Sequence, residues 1–67
     1  MNYSFLIAWY DRNKDYSIDY NNYHSIYIYG ESVKECMDVI RTMKNNHDLS
    51  TQTPIEIVDV ADNTTES

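Results

Sequence analysis

Ser32–His47 reads SVKECMDVIRTMKNNH, and this stretch decides the fold. Ser32 followed by Glu35 forms a capping box, in which each side chain satisfies a backbone N–H at the start of a helix. Val33, Cys36, Met37, Ile40 and Met43 recur at helical spacing and make one apolar stripe. Glu31, Glu35 and Asp38 fall on the other side, near the positive N-terminal end of the helix dipole, while Lys44 and His47 suit its negative end. The spacing predicts one amphipathic helix beginning at the Ser32 cap and ending near His47. Asn45-Asn46 and the polar residues up to Thr53 break the pattern.

Outward from that helix, the periodicity changes from helical to alternating. Asn2–Tyr10 (NYSFLIAWY) is rich in β-formers, with Phe5, Ile7 and Trp9 on one face and Leu6, Ala8 and Tyr10 on the other. Apolar residues on both faces suit a central strand. Tyr23–Tyr29 (YHSIYIY) reads as a second strand, with Ile26 and Ile28 opposed to Tyr27 and Tyr29, and Gly30 ends it. Pro54 leads into a third, Ile55–Val60 (IEIVDV). Asp11–Asn22 (DRNKDYSIDYNN) is rich in Asn and Asp and reads as a turn or long loop. A right-handed crossover through the helix sets strand three beside strand one. The expected fold is therefore α+β: a small β-β-α-β domain over residues 1–61, with a three-stranded antiparallel sheet and one helix on one face. Residues 62–67 read as a polar C-terminal tail. One helix covers one face only, so Tyr27, Tyr29 and one side of strand one are expected to stay open.

The chain has 67 residues, which bounds the account at one domain. A core this small rarely supplies more than about 3–5 kcal/mol of net stability, and Cys36, the single cysteine, cannot form an internal disulfide. The formal charge is −6, from eleven acidic and five basic side chains. That field repels nucleic acid and anionic membrane, and no cluster of Lys and Arg exists to neutralise phosphates. Direct nucleic-acid binding and membrane association are thus not expected. The longest apolar run, Phe5–Tyr10, is far too short to span a bilayer. With no signal-peptide pattern and one free thiol, the cytoplasm is the expected compartment. Asn, Lys, Ile, Tyr, Phe and Met fill 28 positions against six for Gly, Ala, Arg and Pro. This skew points to an AT-rich genome, such as a low-GC bacterium or its phage.

Seven residues are Tyr, five of them between Tyr16 and Tyr29. Tyr offers large contact area for two rotatable angles and carries a polar tip, which is why interfaces favour it. Tyr16, Tyr20 and Tyr23 lie among Asp15, Asp19, Asn21 and Asn22, a poor setting for core residues. With Asp15, Asp19, Glu31, Glu35 and Asp38 they form the expected contact surface for a partner. Carboxylates and exposed tyrosines together suit a basic groove that otherwise holds nucleic acid. The plain alternative is that the acids only solubilise a small domain and the tyrosines pack across strands.

Asp11, Asn13, Asp15, Ser17 and Asp19 also stand where the calcium loop of EF-hand proteins places its oxygen ligands, with Ile18 at the aliphatic position. This 12-residue segment, Asp11–Asn22, resembles that loop and implies a calcium-binding module. It departs from the pattern in Tyr16, where the loop takes Gly, and in Asn22, where it takes a bidentate Glu.

No constellation supports catalysis. Cys36 falls on the apolar stripe, His47 is too far along the helix to activate it, and one Cys with two His makes no zinc site. No enzyme activity and no cofactor are expected. The expected function is a small acidic protein-binding inhibitor, or nucleic-acid-mimicking decoy, aimed at a host nucleic-acid-binding enzyme or defence nuclease in the manner of phage anti-CRISPR proteins. The alternatives are the calcium module and a homodimeric structural or assembly protein.

Overall fold

A computed structural model describes residues 2–63. Strand β1 (Tyr3–Arg12), strand β2 (Ile18–Gly30), helix α1 (Val33–Asn45) and strand β3 (Glu56–Asp62) follow in chain order. The sheet is antiparallel with order β2-β1-β3, so β1 is central and the α+β arrangement read from the sequence stands. A compact chain of this length would have a radius of gyration of about 11 Å; this one has 14.0 Å. The excess comes from the long β1–β2 hairpin.

Helix α1 begins at the expected cap, through one of the two capping-box bonds; the Glu35 carboxylate makes no bond back to the Ser32 N–H. Ser32 is extended (φ −143°), and its Oγ accepts the Glu35 N–H at 3.1 Å. Cys36 and Ile40 are fully buried, and Met37 and Met43 pack at the margin. They meet Phe5, Ile7 and Ile28 from the sheet and Ile55 from the segment before β3. Val33, expected in that stripe, is instead exposed, because it sits at the first helical position beyond the edge of the core. The helix stops at Asn45, two residues short of the expected end, and His47 turns in toward the sheet. Its Nε2 donates to the Thr53 carbonyl at 2.7 Å, and its ring meets the edge of Trp9. His24 stacks on the same indole at 5.5 Å and donates to Asp11 Oδ1 at 2.9 Å. Trp9 Nε1 itself is buried without an acceptor among the described residues.

Gly30 is needed for close approach. A Cβ there would stand 2.8 Å from Cys36 Sγ, so the absent side chain is what lets α1 descend onto the strand end.

The segment Asp11–Asn22 is the main correction. It is mostly strand: β1 runs to Arg12 and β2 begins at Ile18, leaving a short turn between them. Backbone pairing to β1 overrides the weak β-propensity of these residues. The Asn and Asp side chains serve the irregular points instead. Asp15 Oδ1 accepts from the Ser17 N–H and hydroxyl across the turn. Asp19 accepts from the Asn21 N–H and the Asn22 amide. Those last bonds hold a bulge: Tyr10 pairs with Tyr23 but Asp11 pairs with Asp19, so Tyr20, Asn21 and Asn22 are extra residues on β2.

Strand β3 starts one residue later than expected and reaches Asp62. Asn63 is also tied down, its N–H to the Asn2 carbonyl and its amide to Ser4 Oγ. The rest of the expected tail, 64–67, lies outside the described residues. Ahead of β3, Thr51 and Thr53 bond to Arg12 and Tyr10, so this segment continues the sheet edge toward the hairpin end.

Candidate protein-binding face

The sheet has two unlike faces. Odd-numbered residues of β1 point to the helix, so Ser4, Leu6, Ala8 and Tyr10 point away from it. Pairing sets the rows of this open face. Ser4 lies between Tyr29 and Ala61, Leu6 between Tyr27 and Asp59, and Ala8 between Ser25 and Glu56, while Tyr10 sits beside Tyr23. A gutter of small and apolar side chains thus runs between a tyrosine bank on β2 and a carboxylate bank on β3. Tyr20, Tyr23, Tyr27 and Tyr29 are all more than half exposed, yet Ser4 and Ala8 beneath them are buried.

Strict alternation would send Glu56 and Asp59 to opposite faces, being three residues apart. The β3 register shifts between the partners of Leu6 and Ile7, with Asp59 opposite Leu6 and Ile57 opposite Ile7. Val58 is the extra residue, and this bulge brings both carboxylates to the open face. Helix α1 packs on β1 and β2 and does not reach β3, leaving Ile57, Val58 and Val60 exposed as well.

The rings are arranged in two groups. Tyr27 and Tyr29 stack with centroids 6.0 Å apart. Toward the hairpin end, Tyr10 meets Tyr23 at 4.9 Å and Tyr20 at 5.3 Å, both at steep interplanar angles. Beside this second group lies an open cleft of about 380 Å³, with Glu56, Pro54 and Val58 on its far wall. Its volume is in the range of small-ligand sites.

The side chains expected to contact a partner do not form one surface. Tyr20 and Tyr23 lie together on the open face. Asp15 and Tyr16 sit at the hairpin tip, where Tyr16 takes a left-handed backbone (φ 70°) and its carbonyl accepts from Arg12 Nη1. Asp19 is committed to the β2 bulge. Glu31 and Glu35 are exposed on the helix side at the opposite end of the sheet, about 30 Å from the tip at ~3.3 Å per strand residue. Asp38 is held there by Lys34 at 2.8 Å and Arg41 at 3.6 Å, the lysine bond chiefly keeping its carboxyl below the ordinary 3.8. Asp15 is likewise lowered, by the Ser17 hydroxyl first and its N–H second. Sequence reasoning named Tyr27 and Tyr29 on an open face, left Tyr10 as one of two strand-one sets that could join them, and missed Glu56 and Asp59. Only the Val58 bulge, which composition does not announce, could have joined the last two.

The EF-hand resemblance does not extend to ligand geometry. Asp11 binds His24, Asp15 binds Ser17 and Asp19 binds its own bulge, spread over the two strands and the turn of a hairpin rather than around a centre. No group of three or more His, Cys, Asp or Glu among the described residues could hold a metal ion. Cys36 is fully buried beneath Gly30. No helix among the described residues is long and apolar enough to cross a membrane. Comparison with known proteins yields no matching family model, no matching curated protein and no matching solved structure.

Proposed function

We propose that this chain is a protein-binding module that docks its open sheet face onto a basic protein surface. The observation that carries the proposal is the juxtaposition of a tyrosine bank with Glu56 and Asp59 across an apolar gutter. Aromatic rings attract Lys and Arg through their faces, and the carboxylates add direct charge pairing. The gutter accepts the aliphatic stems of the same side chains. The charge of −6 steers such a partner in from solution.

A surface of this kind fits a groove built for nucleic acid, with carboxylates in place of phosphates and tyrosines in place of bases. On this reading the protein is an inhibitor or decoy of a cytoplasmic nucleic-acid-binding enzyme, of the kind phages direct at host defence nucleases.

The test is capture of a partner by the parent chain and by a variant carrying Tyr27→Ser, Tyr29→Ser, Glu56→Gln and Asp59→Asn, with nucleic acid as competitor. A partner with a basic surface that is lost to the variant and displaced by nucleic acid supports the proposal. A partner held equally by both chains contradicts it.

A further inference from the structure

We propose that the cleft at the hairpin end of the open face receives one lysine-type alkylammonium group from the partner, and holds its methylated forms most tightly. This rests on the reading of the open face as a docking surface for a basic protein, and it names the anchor of that contact.

The geometry of the three rings points to a compact cation. Tyr10 stands at the centre, with Tyr23 tilted 52° at 4.9 Å and Tyr20 inclined 67° at 5.3 Å. Rings at such angles build a concave corner rather than a parallel slot. A planar guanidinium stacks on one flat ring, whereas a roughly spherical ammonium in a corner meets several π faces together, each favourable within about 6 Å of a ring centroid. Across the cleft stands Glu56, whose carboxylate forms no ion pair within the described residues. Ala8, Pro54 and Val58 supply apolar contact for the methylene stem. Methylation weakens the hydration of an ammonium and adds area against the rings, so it should favour the bound state.

One cation already borders the cleft. Arg12 is part of its lining, but its Nε donates to the Leu49 carbonyl and its Nη1 to the Tyr16 carbonyl, both at 2.9 Å. Those bonds direct the guanidinium toward the turn and the 48–51 segment. The corner between the tyrosines is left to the incoming group.

The test needs no identified partner. The full chain is titrated with the Nα-acetyl methylamides of lysine and of Nε-trimethyllysine, and with a neutral isostere of the latter carrying carbon in place of the charged nitrogen. The Tyr10, Tyr20 and Tyr23 ring resonances are followed by NMR. Saturable shifts of those rings are expected, tightest for trimethyllysine, with the isostere about tenfold weaker, the size of a favourable cation–π contact. Tyr20→Ala should weaken trimethyllysine by a similar factor and Glu56→Gln by several-fold, while Tyr27→Ala should leave it unchanged. Tyr20 is 71% exposed, so its truncation leaves the core intact, and the dispersion of the spectrum reports this directly. Absence of saturable ring shifts with either ammonium, or equal binding of the isostere, overturns the proposal. The two readings fail separately. A silent cleft with partner capture still dependent on Tyr27 and Tyr29 removes the ammonium site alone, whereas capture indifferent to those residues removes the docking face.

Discussion

The two faces of β1 share a strand and differ in almost everything else. On the helix side, Phe5 and Ile7 are sealed under Cys36 and Ile40, and the surroundings are apolar. On the other side, Ser4 and Ala8 are buried too, but the same face carries tyrosines on the neighbouring strand whose outer surfaces remain in water. The first arrangement gains its free energy from dry burial. The second carries side chains that keep half their area and their hydroxyls free for another molecule. A chain with so small a core has little stability to spare, and this open aromatic surface is the ground for the proposed docking face.

The largest effect should come from the sealed face. Ile7→Ala should cost about 2–5 kcal/mol, comparable with the entire stability of a domain this small, and denaturant unfolding would read it. A loss below about 1 kcal/mol would mean that the helix side is not the core. Next is Gly30→Ala, which drives a methyl into Cys36 Sγ and should cost about 1–3 kcal/mol by overpacking. If that variant is as stable as the parent, the helix does not pack against the strand end as described.

Effects shrink toward the surface. Ser32→Ala removes the acceptor for the Glu35 N–H and should cost about 1 kcal/mol; thermal melts resolve this, and a change under about 0.3 kcal/mol speaks against the cap. Replacing Tyr27 and Tyr29 together by Ser removes a ring pair and cross-strand contacts worth about 0.2–1 kcal/mol each. The fold should survive that change while partner affinity falls at least tenfold. Unfolding of this double variant would make the open face structural.

The smallest effect is in pH. Asp15, Asp38 and Asp48 are each held below the ordinary 3.8, chiefly by bonds to the Ser17 hydroxyl, the Lys34 ammonium and the Ser50 hydroxyl. Carboxyls depressed in the folded state contribute stability that is fully present above about pH 5 and is lost as pH falls through their folded values. Melting temperature should therefore be flat on this account from neutral pH to about 5 and decline below about 4. Asp15→Asn should reduce that decline; an unchanged acid slope in the variant would show that the turn carboxylate does not contribute.

What could be read from the chain follows the same division. The Ser32 cap, the helical stripe and the crossover handedness rest on local chemistry and chirality, and they placed β1 at the centre with one face uncovered. Asp11–Asn22 was misjudged as loop because its propensities are poor for strand, and only pairing with the opposite strand and the Tyr10–Tyr20 contact make it one. The carboxylate bank was invisible for a related reason. A bulge is a property of register between two strands, and Val58 does not mark itself in IEIVDV. Of the contact residues expected, Tyr20 and Tyr23 join the open face, whereas the acids on α1 belong to the opposite layer.

That split gives the most direct test of the central claim. A short lysine-rich peptide titrated into the isotopically labelled chain offers a basic ligand to every acidic surface at once, and NMR reports the response residue by residue. If the open face is the docking surface, shifts concentrate on Tyr20, Tyr23, Tyr27, Tyr29, Glu56 and Asp59 and weaken as salt rises. Shifts confined to Glu31, Glu35 and Asp38, or spread evenly over all the carboxylates, would contradict the account.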